Sequence, residues 1–261
     1  MSMMVFGYAF LYIPILSLII FSFNASRQSH TWVGFSTKWY YALFANESIL
    51  KAAYLSLKIA FMSANVAVLI GTVAALALIR FRSFKGKSFF NSIVTAPLVM
   101  PDVMTGLALL LLFVTFEQAF GWPQRGMTTI TIGHITISIA YVLVIIRTRL
   151  AELDKHLEEA ALDLGARPLT VFFRITLPII SPSIAAGWLL AFTLSLDDVI
   201  LANFLSGPGA TTLPMLIFSS VRFGVNPQIN ALASIIVFLV AIGVMIGGFL
   251  MYRRGSYKLQ D

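Results

Sequence analysis

Three carboxylates, Asp102, Asp197 and Asp198, stand in stretches of the chain that are otherwise almost wholly apolar. An ionisable side chain at membrane depth costs roughly 2.5–3.5 kcal/mol on insertion scales, so such groups face a cavity or a partner rather than lipid. No lysine or arginine falls in the middle of these stretches, and Lys58, near the end of one, is the only evident basic neighbour. Surplus buried carboxylate favours a cationic solute, and a diammonium ion suits it because each end meets a separate acid. Adjacent helical residues point about 100° apart. Of Asp197 and Asp198, one is therefore expected to face a solute path and the other to accept hydrogen bonds within the protein. The plainer alternative is that these acids serve packing alone. Pro97 and Pro101 interrupt the helical ladder beside Asp102, and a kink there can open backbone carbonyls to a cavity.

A second group of charges forms an island from Arg147 to Pro178. Its acids are Glu152, Asp154, Glu158, Glu159 and Asp163, and its bases are Arg147, Arg149, Lys155, Arg167 and Arg174. Leu153, Leu157, Ala161 and Leu164 recur at helical spacing and form an apolar stripe. Gly165 can take the positive φ that ends a helix, and Pro168 suits the first turn of another. Leu169, Phe172, Phe173 and Thr176 line one side of that second helix, which Pro178 is expected to stop. The spacing predicts two short amphipathic helices joined by a sharp turn, parallel to the membrane face. Periodicity alone fits a bundle-stabilising connector as well as a docking element.

These residues must be held by an all-α, polytopic membrane fold. Of 261 residues, 59% are hydrophobic and only 11% charged, against about 25% charged residues in soluble domains. Six segments, at about 4–23, 55–79, 89–116, 128–147, 180–205 and 231–252, are long enough to span roughly 30 Å of hydrocarbon. The first lacks a basic leader and a cleavage site, and is expected to be a retained helix. Asp102 then falls about midway along the third span, and the Asp197–Asp198 pair in the outer half of the fifth. Gly243 and Gly247 form a small-residue packing pair in the sixth.

Basic residues concentrate in alternate connecting segments. Arg80, Arg82, Lys85 and Lys87, then those of the island, then Arg253, Arg254 and Lys258 outnumber the bases of the intervening segments. The positive-inside rule then predicts cytoplasmic N- and C-termini. It also accounts for the net charge of +7, so no nucleic-acid partner is implied. Trp32, Trp39, Tyr40 and Tyr41 cluster in the longest outer loop, as headgroup-belt residues do; a partner contact is the other reading. His134, among Thr129, Thr131, Thr136 and Ser138, reads as a hydrogen-bonded interior histidine. There is no cysteine, and the sequence offers no metal site and no catalytic constellation.

Glu159-Ala160-Ala161, then Gly165, then Ile175, Leu177 and Pro178, at their spacing and before the penultimate span, resemble the cytoplasmic EAA loop of binding-protein-dependent ABC importer permeases. The resemblance extends over the whole chain, as one transmembrane permease domain over 1–261 with the EAA loop at about 148–179. The stretches 96–102, 194–198 and 206–214 are similar to the second permease subunit of polyamine (putrescine or spermidine) importers, the putrescine type above all.

The resemblance implies a type I importer fold in the bacterial inner membrane. It implies two ATP-binding subunits gripping the loop, a second homologous permease and a periplasmic solute-binding protein. The chain has no phosphate-binding Gly-rich loop, so ATP and Mg would be used by the ATPase partner and no cofactor by this chain. Asp102, Asp197 and Asp198 would line the solute path. An importer of another small cation and an ion-coupled secondary transporter are the alternatives, although the inverted repeats usual in the latter are not evident.

Overall fold

The computed structural model describes residues 2–26, 31–81, 83–223 and 227–257, and within them the side chains other than those of 2, 223, 244 and 246–257. The helices are α1 Ser2–Ser22, α2 Lys38–Phe44, α3 Glu47–Arg80, α4 Lys87–Thr95, α5 Asp102–Phe120, α6 Met127–Glu152, α7 His156–Asp163, α8 Pro168–Val171, α9 Leu177–Asp197, α10 Ile200–Leu205, α11 Leu213–Phe223 and α12 Pro227–Tyr257. Among the described residues there is no strand, only an isolated bridge between Asn24 and Phe35. Among the described residues, five helical runs are long and apolar enough to cross a membrane: Met3–Ser22, Glu47–Arg80, Asp102–Phe120, Met127–Glu152 and Pro168–Asp197. The sixth predicted span falls within α12, where Gly247 and the basic residues beyond it lie outside the described side chains. Arg82 and Lys258 lie outside the described residues.

The chain divides into two compact units, Met1–Leu50 with Ile217–Asp261, and Lys51–Leu216. In the first unit α1 packs beside α12, and α2 also meets α12. The aromatic loop is tied by the Trp39 Nε1–H donating to the Asn24 carbonyl at 2.7 Å and by Ser22 Oγ lying 2.8 Å from the Tyr40 hydroxyl. Most of α1 is exposed, with Met3 at 87% and Phe10 at 73%; in lipid such a surface carries no penalty.

In the second unit, α6 lies along α9, and α10 packs on both α5 and α6. One apolar core joins Ala64, Ala67, Ala74 and Ala75 of α3 to Val142, Leu143 and Ile146 of α6 and Ala191 of α9. Small residues let these backbones approach. A Cβ on Gly71 would come within 2.7 Å of Val142, and one on Gly133 within 2.3 Å of Leu205.

Two predicted spans are interrupted. The third is not one helix but α4, a 3₁₀ turn Ala96–Leu98 and α5. Pro101 stands at the N-cap of α5 with φ −58° and ψ 139°, and its carbonyl accepts from Met104 N at 2.9 Å and Thr105 N at 3.1 Å. Asp102 therefore opens a helix rather than sitting mid-helix. Two prolines in five residues remove the donors that a continuous helix would need. The fifth span breaks at Asp198, whose ψ of 128° is extended, and restarts as α10.

Candidate functional site

These two interruptions bring the three acids together. Asp102 from the start of α5 and Asp197 and Asp198 from the end of α9 line one cleft of about 370 Å³, with His134 and Tyr141 of α6 and Ser195 of α9. That volume is at the lower end of ordinary small-ligand sites. The cleft is built entirely within the unit Lys51–Leu216. Lys58 is exposed and does not line it.

The adjacent acids have different surroundings. Asp198 Oδ1 accepts from Leu201 N at 3.2 Å, and its Oδ2 accepts from Ala202 N at 2.7 Å, so the side chain caps α10. Its Oδ2 also lies 3.2 Å from His134 Nε2. A carboxylate only accepts, so Nε2–H is the donor. In the neutral ring Nδ1 then accepts the hydroxyl proton of Ser195, whose Oγ is 2.5 Å away. His134 is buried. A chain thus runs from the Ser195 hydroxyl through the imidazole to Asp198, and it fixes that carboxylate. Asp197 and Asp102 are exposed residues on the cleft. The expected division between one inward-bonded acid and one facing the opening is what the geometry has, but a helix break creates it. The sequence offered Lys58 as the nearby basic residue; the side chain in place beside Asp198 is His134, as a hydrogen-bond donor. Among the described residues, no group of three or more potential ligands is placed to hold a metal ion.

The charged island has the predicted turn. Gly165 has φ +84°. Its N–H donates to the Leu162 carbonyl at 2.9 Å, and Ala166 N–H donates to the Ala161 carbonyl at 3.0 Å. This paired pattern closes the C-terminus of α7 through a left-handed residue. Pro168 opens α8 as expected. Pro178 does not stop the second helix. A π turn, Phe172–Thr176, carries α8 into α9, where Pro178 occupies the first turn. There its missing N–H costs nothing.

The apolar stripe is divided between the bundle and the surface, with Thr176 buried and Phe172 half-buried. Leu153 is buried, but Leu157, Leu164, Leu169 and Phe173 are exposed, Leu164 at 89%. Glu159 is exposed and lies 3.4 Å from His156, an i,i+3 neighbour. Ala160 and Gly165 are exposed, as is Pro178, while Ala161, Ile175 and Leu177 are half-buried. Glu158, which spacing did not single out, is the acid that reaches inward. It accepts hydrogen bonds from Arg80 of α3 and from the Thr176 hydroxyl. Its i,i+3 relation to Ala161 was the available signal.

At the far end of the same unit, Arg125 and Thr129 donate to the carbonyls of Phe204 and Leu205, at 3.2 and 2.7 Å. A Cβ on Gly207 would meet the Arg125 carbonyl oxygen at 2.1 Å, so only glycine admits this approach.

Interrupted apolar helices around an acidic cleft, with an amphipathic loop before the penultimate span, define a membrane transport component. The chain belongs to the family of binding-protein-dependent transport system inner membrane components, which it matches over residues 67–253. It is 55% identical over 256 residues to the putrescine transport system permease protein PotI of Escherichia coli (strain K12), covering 98% of this chain and 91% of that one. It is 43% identical over 238 residues to the spermidine/putrescine transport system permease protein PotC of the same strain, covering 91% and 88%. Its fold is similar to a chain of a bacterial alginate ABC transporter crystallised with an alginate pentasaccharide-bound periplasmic protein. That match has a TM-score of 0.76 at 18% identity and covers 97% of this chain and 92% of the other.

Proposed function

We propose that this chain is the permease subunit of an ATP-driven importer of polyamines, putrescine first among them, with another small cation as the alternative cargo. The observation that carries the reading is the convergence on one cleft of Asp102, from the start of α5, with Asp197 and Asp198, from the end of α9. Separate carboxylates suit a ligand with separated ammonium groups. The likeness to the two polyamine permeases named above supports the same cargo.

In this reading Asp197 and Asp102 meet the ammonium groups. Asp198 is a positioning residue, held by His134 and by the start of α10. The exposed apolar face of Leu157, Leu164, Leu169 and Phe173 seats in a groove of an ATP-binding subunit. Glu159, Ala160 and Ala161 lie on the helix that enters the groove, and Gly165 turns the chain back. Ile175, Leu177 and Pro178 join the loop to α9. Two such subunits hydrolyse ATP with Mg, a second homologous permease completes the path, and a periplasmic binding protein delivers the solute. This chain carries out no chemistry of its own. Both termini lie in the cytoplasm. Because the native chain has no cysteine, single cysteines placed near each end report this cleanly, and labelling from the periplasm would refute it.

The deciding experiment co-expresses the chain with its genomic neighbours and reconstitutes the complex. Putrescine with its binding protein should stimulate ATP hydrolysis and be accumulated. Stimulation only by a non-cationic solute, or uptake that ignores ATP and follows an ion gradient, would overturn the reading.

A further inference from the structure

We propose that Glu158, rather than the exposed Glu159 of the motif, is the residue through which movement of the loop reaches the membrane helices. The inference rests on the coupling role proposed for the loop. Glu158 lies on α7, yet the same carboxylate oxygen, Oε1, accepts from Arg80, the last residue of α3, and from Thr176, the last residue of the π turn that leads into α9. One side chain thus ties the loop to two long helices. The contact is sheltered: the Glu158 side chain is 12% exposed, Arg80 30%, and Thr176 is buried. Glu159, at 65%, forms an ion pair with its helical neighbour His156 and with no other described residue.

The surroundings favour movement as a unit. Beside the ion pair is an open groove of about 450 Å³, lined on its apolar sides by Val73, Phe81, Leu162 and Phe172. Beside that open groove the charge-assisted bonds give the loop a directional link to α3. The π turn gives the junction an extra residue in the helix, an arrangement frequent at functional sites. A load applied to the exposed face of α7 would pull on Arg80 and Thr176 together. α3 has 34 residues, about 50 Å at 1.5 Å per residue, well beyond the roughly 30 Å of hydrocarbon. Glu158 grips the end of this helix that adjoins the loop.

The test uses the complete transporter in proteoliposomes, with ATP hydrolysis and solute uptake measured on the same preparation. Glu158→Gln should co-purify with its partner subunits and hydrolyse ATP at the wild-type rate. It should move about two- to thirtyfold less solute per ATP, the range expected for a residue that carries coupling. Thr176→Val should shift the same ratio less. Arg80→Glu should uncouple likewise, and combining it with Glu158→Arg should restore the ratio, because the Thr176 hydroxyl accepts as readily as it donates. A wild-type ratio in Glu158→Gln would overturn the inference. So would a charge-exchanged pair no better than its single variants, and this holds even where Glu158→Gln fails to assemble. Failure of the wild-type chain to co-purify with an ATP-binding subunit would instead sink the proposed function, before any variant is compared.

Discussion

Asp197 and Asp198 are chemically identical neighbours with separable roles. Asp197→Asn removes a charge from the cleft without touching the α10 cap. It should cut uptake at least tenfold while assembly and thermal stability stay as in the wild type; unaltered uptake would remove Asp197 from the path. Asp198→Ala removes the cap and the partner of a buried imidazole. Loss of a capping side chain costs about 1 kcal/mol, so the purified complex should melt at a lower temperature as well as transport less. An unchanged melting curve would show that the cap is dispensable. The sequence revealed these acids because charge in an apolar run is rare and costly. It did not reveal which of the two is bonded inward, because that depends on His134 reaching Asp198 across 64 positions of chain. Glu158 and Glu159 were likewise indistinguishable by type. Only the direction of each Cα–Cβ bond separates an inward acid from an outward one.

At the level of helices and turns, most of the pattern was readable. Gly165 and Pro168 fell where a left-handed stop and a helix start were expected. Pro178 misled, since a proline that ends one helix is locally no different from one in the first turn of the next. Pro97 and Pro101 marked the interruption beside Asp102, though as a kink within one span rather than a break between helices; the break at Asp198 was obscured by a steady hydropathy, which registers burial in lipid and not backbone continuity. Gly165→Val should cost about 1–2 kcal/mol through the left-handed conformation alone, since its Cβ would meet nothing within 4 Å. It should reduce co-purification with the ATP-binding subunit, and full recovery of the complex would contradict the role given to the turn. Gly207→Ala differs in kind. Its methyl group would collide with backbone rather than a flexible side chain, so the Arg125 contact must open and the melting temperature must fall. Cleft-lining residues are left in place by that change, and a wild-type melting curve would argue against the contact.

For the molecule as a whole, composition alone assigned the solvent: an 11% charged chain belongs in lipid. Cargo is a finer property, because small cations differ in length and charge count more than in the residues they require. The reconstituted transporter should respond more strongly to putrescine than to spermidine at matched receptor occupancy, and the reverse order would reassign the cargo within the polyamines. Chelation of Mg should stop uptake on addition to the nucleotide side alone. Continued accumulation without Mg would exclude the proposed nucleotide-driven cycle.

A transporter fails if its guest never departs. Asp102 and Asp198 both stand at helix beginnings, where the peptide dipoles place roughly half a positive charge. Some of the pull those carboxylates would exert on an ammonium group is thereby already spent on the backbone. In the proposed function the cleft would attract a polyvalent guest by the number of its acids yet hold it more loosely than bare carboxylates would, which favours its release.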